Sequence, residues 1–316
     1  MKKLFTAVML SLISMAVSAA DEFNLRKDVI TIVVPSSPGG VTTVLSMKLG
    51  QLMKDKGATV VVVNKPGANK TIGANFVANS AADGRTLLVA AAADIALLPR
   101  QYPDIVKFNK TSFVPVFSLA TGSPVIAVRS NFPANNLKEF LDVIRKDPLQ
   151  RQMSDYSVLN KLIASSVYSL AGTTPEFIPY PGEEKALIDL VSGNLQAGIF
   201  IYNDQIRSFV SSGKIKVISM VSEKRNTKSP TIETVGETFS NVKFQYWWGL
   251  YAPAGTPQST IQVLNQAFSE VWSDPLVISE IENMNYQLGE MPLPNLNVYL
   301  DNTYKTLDLL SSRYLK

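Results

Sequence analysis

Short β-branched runs alternate along this chain with segments whose apolar positions recur every three or four residues. Residues 60–63, 86–90, 125–128, 198–201 and 215–220 are predicted as strands, and residues 44–56, 137–146, 160–170, 184–192 and 257–272 as helices. Ahead of them, Ile30, Ile32 and Val34 sit among β-branched neighbours as in a buried strand, which the turn formers from Pro35 to Gly40 bring to an end. Alternation of this kind predicts an α/β protein with mainly parallel sheets and flanking helices. Two longer apolar runs break the pattern. Residues 86–98 contain Asp94 and stop at Pro99, which suits a buried strand leading into a helix better than a membrane span. Residues 4–17 follow Met-Lys-Lys and lead to Ser18, Ala19 and Ala20 before acidic Asp21. They read as the core of a secretory signal peptide, residues 1–20, cleaved after Ala19 or Ala20.

Roughly 295 residues remain after that cleavage, more than one compact core usually holds, so two lobes are expected. Turn formers cluster at residues 120–124 and 222–230. Crossings at both points put residues 21–122 and 223–316 in lobe 1 and residues 123–222 in lobe 2, with a hinge between them. The formal charge of +4 falls to +2 without Lys2 and Lys3, and no basic run occurs, so nucleic acid is not an expected partner. Nor is the mature chain expected to be membrane-embedded. It has no cysteine, which excludes disulfides, thiolate catalysis and cysteine-held metal. Export without disulfides suits a bacterial periplasm. The absence of histidine removes the usual general base and the commonest metal ligand. Neither a metal nor a cofactor is expected. A hydrolase using serine with lysine, or paired carboxylates, stays open on residue types. Against it, there is no Gly-x-Ser-x-Gly elbow, and no Ser-x-x-Lys segment with the rest of a penicillin-binding pattern.

The segment with the clearest candidate chemistry follows the first strand. Gly39 and Gly40 let backbone N–H groups approach a ligand closely, and Thr42 or Thr43 stands where it can cap a helix whose first N–H groups have no internal partner. Such an end attracts carboxylate or phosphate. The dipole contributes only about 0.3 to 1 kcal/mol at a surface, so several converging donors are needed. An ordinary strand-to-helix turn is the competing reading of these residues alone.

Further fragments follow in order: Asn64-Lys-Pro-Gly-Ala-Asn-Lys-Thr-Ile-Gly-Ala-Asn75, Ala82-Asp-Gly-Arg-Thr-Leu-Leu88, Phe113-Val-Pro-Val116, Ile178-Pro-Tyr-Pro-Gly182, Ser212-Gly-Lys-Ile215 and Trp247-Trp-Gly-Leu-Tyr-Ala-Pro-Ala-Gly-Thr-Pro257. In this order and spacing, over nearly all of the mature chain, they resemble the tripartite tricarboxylate transporter receptors, or Bug proteins, of bacterial periplasms. The resemblance implies a two-lobed periplasmic binding protein of the type II class that is not an enzyme. Its implied ligand is a small organic acid, whether a di- or tricarboxylate, an aromatic acid or an amino acid. The implied partner is a tripartite permease or a sensor. By the same resemblance, Ser36, Ser37, Pro38, Gly39, Gly40, Val41, Thr42 and Thr43 match the first ligand loop, with Thr43 where the family has an aspartate. Ala92 and Asp94 fall in the second loop of lobe 1, where Asp94 either offsets the missing charge or caps a helix.

The second lobe departs further from the family pattern. Ser154, Asp155, Tyr156 and Ser157 replace a Gly/Ser-rich loop, Ala197 replaces an aspartate, and Ile201 and Tyr202 fall where relatives carry polar pocket residues. Tyr180 lies in a Pro-Gly turn that serves either the cleft or the fold. Tyr156 and Tyr202 suit stacking on a ligand or packing within a lobe equally well. Trp247 and Trp248 read as core or hinge, the Lys65, Lys70 and Arg85 group as a solvated surface or an anion guide, and Asp94 with Asp155 as a remote candidate for a catalytic pair. The altered second-lobe loop leaves one further alternative, an exported protein-binding relative whose ligand cleft has degenerated.

Overall fold

The apolar run after Asp28 forms β1 (Val29–Val34), which pairs in parallel with β2 (Thr59–Asn64) and β3 (Thr86–Ala91), Ile32 lying opposite both Val62 and Leu87. The computed structural model describes residues 23–222, 224–226, 229–239, 244–288 and 292–315, so the signal-peptide reading of residues 1–20 lies outside it. Helices α1 (Val41–Asp55), α2 (Thr71–Ala78) and α3 (Ala92–Gln101) follow the first three strands in turn. Next come β4 (Phe113–Gly122), β5 (Pro124–Arg129), α4 (Leu137–Lys146), β6 (Gln152–Asp155), α5 (Val158–Leu170), β7 (Glu176–Pro179), α6 (Glu183–Ser192), β8 (Ala197–Ile201), α7 (Asp204–Ser211) and β9 (Ile215–Met220). A short α8 (Val235–Thr238) leads to β10 (Tyr246–Pro253), α9 (Gln258–Trp272), α10 (Pro275–Asn283), β11 (Gln287–Leu288) and α11 (Leu293–Tyr314).

Two sheets result, ordered β11-β4-β10-β3-β1-β2 and β7-β6-β8-β5-β9, which makes the molecule a two-lobed α/β protein. The expectation of mainly parallel sheets is corrected: both sheets are mixed. In the first, β10 runs antiparallel to β3 and β4, and β11 antiparallel to β4; in the second, β5 runs antiparallel to β8 and β9. The cause is the hinge. A strand that re-enters a lobe from the hinge must run opposite to one that leaves through it.

Only Ser123 separates β4 from β5, and its carbonyl accepts from Tyr202 N at 3.0 Å. The outgoing and returning strands lie side by side at the hinge, with Tyr246 opposite Gly122 and Val221 N donating to Pro124 O at 2.8 Å. After β9, the chain stays beside the second sheet through a bridge from Met220 to Thr234 and a bond from Gly236 N to Ser222 O, and it rejoins the first sheet at Tyr246.

Local sequence accounts for most of these elements. In α4, Leu137, Phe140, Leu141 and Ile144 recur at helical spacing and are buried, while Asn136 caps the helix by accepting from Glu139 N at 2.9 Å. Trp247 is 2% exposed, and its Nε1 donates to Ser118 Oγ at 2.7 Å; Trp272 Nε1 donates to Leu119 O at 2.8 Å. These indoles pin β10 and α9 to β4 and give the buried N–H groups the partners they require. The apolar core continues between the lobes, where α5 packs against α3 and α11. Among the described residues, no helix is long and apolar enough to cross a membrane.

Candidate functional site

The diglycine turn faces the second lobe. Gly39 has φ +99°, a conformation that L side chains rarely adopt, and Gly40 has ordinary extended geometry at the N-cap of α1. No side chain caps this helix. A carbon built in place of the Gly40 hydrogen would lie 3.9 Å from Glu184 Oε1, at the start of α6 in the second lobe. Ser37, Pro38 and Gly39 are exposed at the tip, whereas Val41 and Thr42 are half-buried in the first helical turn. Thr43 is buried and turned inward, its Oγ1 accepting from Asn64 Nδ2 at 2.9 Å. The same amide donates to Ser36 O at 2.8 Å, and Ser36 Oγ meets Thr42 Oγ1 at 3.3 Å. Asn64 at the end of β2 therefore fastens the loop at two points. Asn64→Ala is expected to cost about 1 to 2 kcal/mol and to lower the denaturant midpoint; an unchanged midpoint would show that the loop holds its shape without Asn64.

Asp94, 7% exposed, lies in the first turn of α3, two residues after the buried Ala92. Its Oδ2 pairs with Lys70 Nζ at 2.8 Å. Lys70 is delivered by an unusual backbone: Ala68, Asn69 and Lys70 all have left-handed φ, of 44°, 53° and 72°. Such residues cost about 1 to 3 kcal/mol each and collect at functional sites. Here Thr71 Oγ1 donates to Ala68 O at 2.7 Å, and the Asp94 ion pair holds the lysine. Lys70 also acts on the Glu183 carboxyl of the second lobe, which places it between the lobes. Its two former companions are engaged elsewhere: Lys65 lies over the Phe76 ring, and Arg85 pairs with Asp28 and Asp83.

On the second lobe, most predicted residues serve their own lobe. Ser154 is fully buried against Phe200 and Gly198, and Asp155 pairs with Lys161 at 3.2 Å. With Asp94 and Asp155 each held by its own lysine in a different lobe, nothing joins them as a pair. Ser157 caps α5, accepting from Asn160 N and donating to Asn160 Oδ1 at 2.9 Å. Tyr156 donates its hydroxyl to Ile199 O at 2.8 Å, and Tyr180 donates to Asp189 Oδ2 at 3.1 Å. Tyr202 packs its ring into the smaller apolar cluster of the second lobe, and its carbonyl accepts from Asn285 Nδ2 of the first lobe at 2.9 Å. Ile201 is buried at the hinge side of the cleft, where its N–H donates to Glu183 Oε1 at 3.4 Å.

Glu183 and Tyr246 are the cleft groups that the sequence reading did not single out. Burial pushes the Glu183 carboxyl up to about 7; the Ile201 N–H lowers it, neighbouring Glu184 raises it, and Lys70 lowers it. Tyr246, 8% exposed, opens β10 and stacks on Trp248, with ring centroids 5.7 Å apart. Its hydroxyl is buried and makes no hydrogen bond among the described residues. Burial raises its pKa well above the normal value, Ser157 pulls it down, and the Glu183 and Asp94 charges raise it further. Ser157 lies close by, its hydroxyl donating to Asn160 Oδ1 and keeping a lone pair for the phenol. The cleft therefore presents a helix N-terminus, one lysine, three carboxyls and an unsatisfied phenol. A cavity of about 810 Å³ lies elsewhere, between α9, β4 and the start of α11; none of the predicted site residues lines it, and its polar groups are uncharged.

The family model described as tripartite tricarboxylate transporter family receptor matches residues 46–306. Protein BugT of Bordetella pertussis is 29% identical over 269 residues, covering 82% of this chain and 80% of BugT. The periplasmic binding protein BugD superposes with a TM-score of 0.80 at 24% identity, over 91% of this chain and 98% of BugD. MatC of Rhodopseudomonas palustris, solved with bound malate, also gives 0.80, at 22% identity, over 90% of this chain and 99% of MatC. At these identities, the two structural likenesses speak for the fold alone.

Proposed function

Because this chain belongs to the tripartite tricarboxylate transporter receptor family, we propose that it is a periplasmic receptor capturing a small organic carboxylate between its lobes. The observation that carries this reading is the placement of the diglycine turn, at the uncapped start of α1 and within contact distance of α6 across the cleft. Main-chain N–H groups at that helix end suit an anion, and Lys70 adds a positive charge that can be shared between Asp94 and a ligand. Closure is driven by differential binding, because only the closed form offers both lobes to the ligand. The malate held by MatC makes dicarboxylates the first class to test. A permease or a sensor would then read the closed surface.

A second reading is favoured by a different observation. Lys70, Asp94, Glu183 and Tyr246 bring large side chains into the cleft, as expected of a relative that has given up its small ligand for a protein partner. Thermal-shift measurements on the mature chain with malate, succinate, citrate, aspartate and benzoate separate the two. A ligand at a hundred times its Kd adds about 2.7 kcal/mol of stability, so a melting temperature that rises with acid concentration is expected. No shift with any acid would overturn the receptor reading and leave the protein-binding one.

A further inference from the structure

Glu183 opens α6, accepts from the Ile201 N–H of β8, and is surrounded by titratable groups from several other elements. Glu184 comes from its own helix, Lys70 from the start of α2, Asp94 from α3, and the phenols of Tyr156, Tyr246 and Tyr286 from the turn before α5, from β10 and from the approach to β11. Asp204 of α7 acts on Tyr286 from the far side. Three carboxyls thus meet one lysine. A dicarboxylate entering between Gly40 and α6 would add two more negative charges to a site from which water is being expelled, and like charges at such distances cannot all stay ionised. Asp94 is already paired with Lys70, and Glu184 is exposed to solvent. Glu183 is the carboxyl left to give way. The buried Tyr246 hydroxyl, which makes no hydrogen bond among the described residues and feels the Glu183 charge, is placed to exchange one with a polar ligand atom.

We infer that Glu183 is a ligand-contacting residue that meets the captured anion as a neutral carboxylic acid, donating a hydrogen bond to it, so that closure over a dicarboxylate draws a proton from solvent wherever Glu183 was ionised beforehand. The inference rests on the carboxylate-receptor reading above and adds to it a residue and a proton. The sign follows from linkage. Without ligand, the carboxyl is neutral below about 7 and ionised above it; an anion alongside favours the neutral form, so affinity for the anion must fall as pH rises through that range. A site that binds only when Glu183 is protonated weakens about tenfold between pH 6 and pH 8.

Calorimetric titration of the mature chain with malate at both pH values tests this, together with titrations at pH 7 in two buffers of different ionisation heat. The expected result is the tenfold weakening and a buffer-dependent heat that reports net proton uptake. Glu183→Gln, isosteric and permanently neutral, should bind malate equally at both pH values with no buffer effect. The exposed Glu184→Gln should keep the wild-type pH dependence. Melting curves establish that both variants are folded. Affinity and heat independent of pH and buffer in the wild type, or pH dependence retained in Glu183→Gln, would overturn the inference and leave the receptor reading standing. Aspartate binding more tightly than malate with proton release would also overturn it, by showing that the acidic groups receive an ammonium. If neither malate nor any other acid binds at either pH, the receptor reading fails and takes this inference with it.

Discussion

Gly40→Leu is expected to weaken carboxylate binding by at least about a hundredfold, equivalent to roughly 3 kcal/mol, while leaving the melting temperature of the ligand-free protein within a few degrees of wild type. The backbone at Gly40, φ −72° and ψ 164°, is open to any L residue, so the substitution stores no local strain. Its effect arises across the cleft. Even the first carbon of a side chain would stand 3.9 Å from Glu184 Oε1, and the rest of a leucine would need the room through which α6 approaches. The side chain would also cover the main-chain N–H groups proposed to hold the anion, and it would press an apolar group against a carboxylate. Gly40→Ala offers the graded control: 3.9 Å is ordinary contact, so alanine should cost far less than leucine. A leucine variant with unchanged calorimetric affinity would remove this loop from the binding site.

Gly249→Ala should be the more damaging change to the fold, costing about 3 kcal/mol. Gly249 lies in β10, the strand between β3 and β4, and an added carbon there would run into the Trp247 ring. A ring at the end of a mobile side chain could step aside. This one is held by its bond to Ser118 and by edge contacts with Tyr251, whose ring centroid is 5.9 Å away, and is flanked by Tyr299 at 6.1 Å. Trp247→Ala alone should also destabilise, by about 3 to 5 kcal/mol, through the void it leaves. Combined with Gly249→Ala, the two losses should fall short of their sum, since each relieves what the other causes. Urea denaturation of the three variants decides the matter: an unshifted midpoint for Gly249→Ala would mean that the indole moves cheaply.

Elements with a strong local period were legible in the sequence. Residues 137–146 and 215–220 match α4 and β9 at both ends, because in each a patterned apolar set is bounded by polar or turn residues. β10 was harder to see: Tyr246, Trp247 and Trp248 are all buried, so both faces are apolar and no alternation marks a strand. β6 was read as part of a loop because its four residues, Gln-Met-Ser-Asp, carry little β propensity; pairing with β7 and β8 makes them a strand. The ordered family fragments carried the two-lobed fold without those strands. The candidate site was legible on one lobe only. Residues 36–43 announce themselves through glycines, whereas Glu183 follows Pro-Gly in a helix start that looks solvated. Only the approach of β8 and of Lys70 from 113 residues away in sequence turns it into a cleft group. Tyr156 and Tyr202 illustrate the opposite failure: an amphipathic ring is equally at home on a ligand or in a core, and the backbone bond of the first and the packing of the second place both with their own lobe.

The mixed first sheet also sets an order of assembly. β10 lies between β3 and β4, yet it is encoded more than a hundred residues after them. On a chain growing from its amino end, every strand of the second sheet, β5 to β9, is made in one stretch and can pair at once. The first sheet must wait with a slot open through its middle. Synthesis therefore completes the inserted lobe before the lobe that carries it, and the unpaired edges of β3 and β4 are the surfaces a chaperone would have to shield in the interval.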